Sequence, residues 1–174
     1  MFFHHLPILL ILLVLPFFLH AAVESKKPKL QLMFSEDGRE WVKVREENLN
    51  GQELVEFMLK NESPATWTEL VTLQSFASDQ IEPKSLFDLF MRDLEQQVGG
   101  GKITHKIIEQ NDTHVMAEWS LDGTQNNQRE LIRIMKKDGV VAIVRYTTKK
   151  ERVTDKTFNT WVKIIKGAVI STQT

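Results

Sequence analysis

The chain contains no cysteine. Disulfide staples, thiolate metal sites, a cysteine nucleophile and lipid attachment through an N-terminal cysteine are therefore excluded, and the fold must rest on packing alone. Net charge is also scarce: 22 Lys and Arg against 23 Asp and Glu leave a formal charge of −1. Without a concentrated basic footprint, no nucleic-acid partner is expected. No serine stands in a Gly-x-Ser-x-Gly elbow, and no internal repeat or low-complexity tract interrupts the chain. Charged side chains are missing altogether from Met1 to Val23.

That uncharged opening is the most informative stretch. Leu6 to Leu19 is an apolar run that includes Pro7 and Pro16, followed by His20-Ala21-Ala22 and then Glu24-Ser25-Lys26-Lys27. This is the layout of a secretory signal over residues 1–22, cleaved near Ala21 or Ala22, with residues 23–29 as a polar lead-in. Two features depart from the pattern. The segment before the run has no Lys or Arg, and the −3 position is Leu19 or His20 rather than a small residue. The alternative is an uncleaved anchor through residues 2–23, but a crossing helix needs roughly 20 apolar residues and the uninterrupted run has 14. The expectation is a periplasmic or secreted protein, with membrane contact only if the leader is retained.

Removing the leader leaves about 150 residues, the size of one domain with one core. Residues 30–170 read as that domain. Leu30 to Phe34 and Trp41 to Arg45 flank Glu36-Asp37-Gly38 and suggest a hairpin. Asn50-Gly51 marks a second turn, followed by a strand from Glu53 to Leu59. Trp67 to Phe76 alternates with apolar groups on both faces. Pro83 opens a helix whose Leu86, Phe87, Phe90, Met91, Leu94 and Val98 recur at three- and four-residue intervals until Gly99-Gly100-Gly101 stops it.

Two hairpins follow. Ile103 to Gln110 pairs with Thr113 to Leu121 across Asn111-Asp112, and Gln128 to Lys137 pairs with Val140 to Thr148 across Asp138-Gly139. A two-residue turn at the latter sets Ile134 opposite Ile143 and Ile132 opposite Arg145, with Leu131, Met135, Val144 and Tyr146 on the other face. Apolar groups on both faces imply cover on both sides. Thr154 or Asp155 caps a closing helix with Phe158, Trp161, Val162, Ile165 and Val169 on one stripe. The class is α+β, an antiparallel β-sheet with helices packed on its faces.

Glu56-Phe57, Glu62-Ser63, Trp67-Thr68-Glu69-Leu70-Val71-Thr72 with Gln74, Glu118-Trp119, Glu130 with Arg133, and Trp161 together form a pattern that covers most of the chain beyond the leader. It resembles a family of small exported bacterial proteins of uncharacterised function. The element order is similar to the PsbP-like fold, an α/β/α sandwich found in an extrinsic photosystem subunit and in a nuclear import factor that binds Ran. The resemblance implies a binding or assembly role, and it carries no ligand motif or functional residue over to this chain.

Glu69, Thr72, His105 and Glu118 are the candidate binding residues. No catalytic residue, metal ligand set or cofactor is expected. With a turn at Asn111-Asp112, His105 faces Glu118 and His114 faces Glu109. The two pairs then lie about 13 Å apart at ~3.3 Å per residue, too far for one zinc ion. Gly99 to Thr104 has the composition of a phosphate loop, but it runs from a helix end into a strand, the reverse of the required order. Glu53, Glu56 and Glu69 could gather as an acid cluster, although strand carboxylates more often keep an edge soluble. Lys136, Lys137, Lys149, Lys150 and Arg152 gather near the hairpin ends and read as a solvated rim. Asn61-Glu62-Ser63 and Asn111-Asp112-Thr113 match the glycosylation sequon. The partner is an unidentified protein or small ligand, bound at a sheet edge or helix–sheet groove, with a carboxylate enzyme as the alternative.

Overall fold

A computed structural model describes residues 29–98, 100–125, 127–151 and 153–171. The signal-peptide reading of residues 1–22, most of the lead-in and Arg152 lie outside the described residues. The strands are β1 (Lys29–Gln31), β2 (Trp41–Leu49), β3 (Gln52–Leu59), β4 (Glu69–Ala77), β5 (Lys102–Gln110), β6 (His114–Asp122), β7 (Gln128–Lys137), β8 (Val140–Lys149) and β9 (Val169–Ser171), and β-branched and aromatic residues favour the seven longer ones. The helices are α1 (Pro83–Gln97) and α2 (Asp155–Lys166), and a 3₁₀ turn covers Phe34–Asp37. Seven strands form one sheet in the order β2-β3-β4-β8-β7-β6-β5, every neighbouring pair antiparallel. The α+β expectation holds.

Each helix covers one face. Leu86, Phe87, Phe90, Met91 and Leu94 of α1 pack on Val115, Ala117, Trp119, Ile132, Ile134 and Ile143. Full burial of side chains of this size stabilises the fold by roughly 1.5–3 kcal/mol each. The opposite face receives Phe158, Trp161, Ile164 and Ile165 of α2 against Val71, Met116, Leu131, Val144 and Tyr146. Thr154 caps α2, its hydroxyl accepting from the Thr157 amide at 3.2 Å. Val169, placed on the α2 stripe by its spacing, instead lies in β9 and is exposed, because the helix stops at Lys166. Gly101 follows α1 in a crowded spot: a Cβ there would come within 2.5 Å of Leu121 Cδ1, so that side chain would have to move to admit a larger residue.

The hairpin at Asp138-Gly139 has the expected register, Ile134 opposite Ile143 and Ile132 opposite Arg145. Its turn residues both take positive φ, 50° and 74°, as do Asn50 and Gly51 at 54° and 78° between β2 and β3. Two expectations are corrected. Leu30 to Phe34 does not pair with Trp41 to Arg45: β1 pairs with β9, joining the two ends of the domain, while β2 pairs with β3. Gly38 takes φ 72°, but it caps the 3₁₀ turn rather than a hairpin. The β5–β6 register also differs. Asn111 Oδ1 accepts from the amides of Thr113 and His114 at 2.8 and 3.0 Å, which closes a longer turn, and the register shifts again between Ile107 and Glu109.

Candidate functional site

Because side chains alternate along a strand, the polar residues of the sheet divide between two faces. On the α2 face, Glu69 opens β4 and is buried. Arg39, in the loop before β2, grips it with two parallel bonds, Nη1 to Oε1 at 2.6 Å and Nη2 to Oε2 at 2.7 Å. Arg39 also donates to Asp37 at 2.8 and 3.0 Å, and Asp37 accepts from the Trp41 indole at 2.7 Å. Tyr146 donates its hydroxyl to Glu69 Oε2. The Tyr146 ring stacks on Trp161 at 4.3 Å, and Trp41 meets Trp161 edge-on at 5.1 Å. Hydrogen bonding to Glu69, against the cost of burial, pushes the Arg39 pKa above its ordinary value. Burial first, then the Glu69 charge, pushes Tyr146 up as well.

On the α1 face, Glu130 is completely buried and accepts four bonds: from the Trp119 indole at 2.9 Å, Arg145 Nε and Nη2 at 2.8 Å each, and the Thr147 hydroxyl at 2.5 Å. Phe90 of α1 lies over the Arg145 guanidinium at 5.2 Å. Beside it, buried Glu56 sits opposite Thr72, 3.5 Å from Arg45 Nη1. Burial raises the Glu56 pKa, with the charge of Arg45, its hydrogen bond, Arg145 and the Thr72 hydroxyl pulling the other way. A small cavity of about 10 Å³ lies between this strip and α1, lined by Gln74, Phe90 and Arg145 among others.

The four candidate residues do not converge. Glu69 and Glu118 lie on the α2 face, separated by β8 and β7, roughly 14 Å at ~4.8 Å per strand. Thr72 and His105 lie on the α1 face. His105 stands opposite Trp119 rather than Glu118, exposed, with its ring edge-on to Phe87 at 5.7 Å. Glu118 instead binds Arg129 at 2.7 Å, and Arg129 extends over Phe158 toward Asp155. His114 does meet Glu109, at 3.1 Å, across the bulged turn.

The acid cluster is corrected too. Glu56 faces α1 while Glu53 and Glu69 face α2, and Glu53 pairs with Ser75, about 20 Å along β4 from Glu69. Glu56 and Glu69 are buried rather than solvent-facing. The lysines of the second hairpin also separate. Lys136 and Lys137 end β7 at the turn, whereas Lys149, over Trp67 at 5.0 Å, and Lys150, paired with Asp122, mark the far end of β8.

Sequence reasoning missed Glu130 and Arg145 as a pair, although the correct register put Arg145 beside Ile132, two residues from Glu130 on the same face. It also missed Arg39. Among the described residues, no group of His, Asp and Glu is arranged to hold a metal ion, and no helix is long and apolar enough to cross a membrane. No protein-family model matches the chain, and no curated protein matches it.

Proposed function

We propose that this chain is a non-catalytic binding or assembly domain of the bacterial envelope, exported by residues 1–22 and related to the PsbP-like α/β/α sandwiches. One observation carries the non-catalytic reading: the two most deeply tied carboxylates, Glu69 and Glu130, have their oxygens occupied by arginine and hydroxyl or indole donors. Carboxylates held this way point their oxygens at protein donors rather than at a substrate. Cover of the sheet by one helix on each face supports the sandwich likeness. The apolar leader supports export.

A carboxylate-based enzyme is the second reading, favoured by Glu56, whose buried acid has a raised pKa beside Thr72. In-cell crosslinking of the native protein, followed by mass spectrometry, is expected to recover one envelope partner reproducibly; repeated failure to do so removes the adaptor reading. The same spectra read the mature N-terminus. A start near Ala22 or Val23 is expected, and an intact Met1 would refute cleavage and favour an anchored structural component.

A further inference from the structure

An open groove of about 190 Å³ runs between the end of β7, the start of β6 and β9. Its polar wall carries Arg133, Lys136, Lys137 and His114, and its apolar wall carries Met135 and Ile170 beside exposed Val169. No carboxylate is among the lining residues.

The charges of this groove are unequally answered. Lys136 pairs with Glu82 at 2.8 Å, and His114 with Glu109 at 3.1 Å. Lys137 reaches only the Ile170 carbonyl, at 3.3 Å. Arg133 Nη1 spends itself on the carbonyls of Ile165, Lys166 and Ala168, at 3.0, 2.6 and 3.2 Å, closing the C-terminus of α2. Among the described residues, neither Arg133 nor Lys137 has a carboxylate at ion-pair distance. Burial accordingly pulls the Arg133 pKa down, with the charge of Glu109 opposing. Glu109, the carboxylate that acts on Arg133 from farther off, is itself paired with His114 at 3.1 Å and Lys166 at 2.9 Å. Two cations with no carboxylate in direct contact, beside an apolar wall, complement a small anionic head joined to an apolar body.

We infer that this groove binds an amphipathic anion, its carboxylate or phosphate head between Lys137 and Arg133 and its apolar arm along Met135, Val169 and Ile170. This rests on the binding reading given above and names a ligand class for it. The head would gain charge-assisted hydrogen bonds that carbonyl acceptors supply only weakly.

The test titrates the full chain with octanoate, acetate and inorganic phosphate while following backbone amide shifts. Octanoate is expected to saturate at least tenfold more tightly than acetate, moving the amides of Thr113, His114 and Ala168 to Ile170. Phosphate binding at the same amides would assign the head preference to phosphate. Lys137→Gln should weaken the octanoate interaction at least tenfold, and Lys84→Gln, on the far helix, should leave it unchanged. The map on the unmodified chain does not depend on any variant folding. Absence of saturation with all three anions, shifts elsewhere in the molecule, or equal affinity for octanoate and acetate would overturn the inference. A reproducible crosslinked partner would survive that failure, so the adaptor reading stands or falls separately.

Discussion

Tyr146 is the chain's one tyrosine, so tyrosinate absorbance reports on a single hydroxyl at the centre of the α2-face cluster. That hydroxyl is buried and donates to Glu69, and both burial and the neighbouring carboxylate raise its pKa. A raised folded-state pKa means that the contribution to stability is complete below the unfolded value of ~10 and is lost as pH climbs above it. At about pH 12 the unfolded chain would gain ~2.7 kcal/mol from ionising this group, at 1.36 kcal/mol per unit. Against a domain stability of about 5–15 kcal/mol, that is a substantial fraction. Absorbance and far-ultraviolet circular dichroism should be followed together through an alkaline titration. No absorbance step is expected near pH ~10, and the tyrosinate signal should rise only as the dichroism collapses. Glu69→Gln should leave Tyr146 raised, though by less, since burial is the larger cause. A reversible ionisation near pH ~10 with the fold intact would refute the buried Tyr146–Glu69 contact.

Glu56→Gln should gain stability relative to the parent as pH rises from ~4 toward 7, because a buried acid with a raised pKa loses stability as pH passes through that pKa. Urea midpoints measured across this range test it, and a constant difference between the two proteins would contradict it. Thr154→Ala removes the hydroxyl that caps α2 and should cost about 1 kcal/mol, lowering Tm by about 2–4 °C. An unchanged Tm would show that the cap contributes nothing.

Local chemistry made some of this architecture readable in advance and left the rest hidden. Asp138-Gly139 fixed a register because a two-residue turn with both φ positive admits only one pairing, and the apolar period of α1 admits only one buried stripe. Asn111 concealed the β5–β6 register, since its side chain closes the turn in a way that residue counting does not anticipate. The short strand β1 could not be assigned locally because its partner β9 lies at the other end of the domain. The buried acids were hidden for the same reason. Glu69 in an alternating strand looks solvent-facing until Arg39, thirty residues away in sequence, is placed upon it. Glu130 likewise depends on Arg145 across a hairpin and on the Trp119 indole from the next strand.

If the buried carboxylates are bound up in structural ion pairs, a double-mutant cycle on Glu130 and Arg145 reports it most directly. Arg145→Met preserves bulk but strands the Glu130 carboxylate with only Trp119 and Thr147, and should cost about 3–5 kcal/mol. Adding Glu130→Gln removes the stranded charge while keeping an acceptor for the indole, so the double variant should be more stable than Arg145→Met alone, with a coupling of about 1–3 kcal/mol. Urea unfolding that instead gives additive losses, with the double variant the least stable of the three, would contradict the claim that Glu130 exists to be paired.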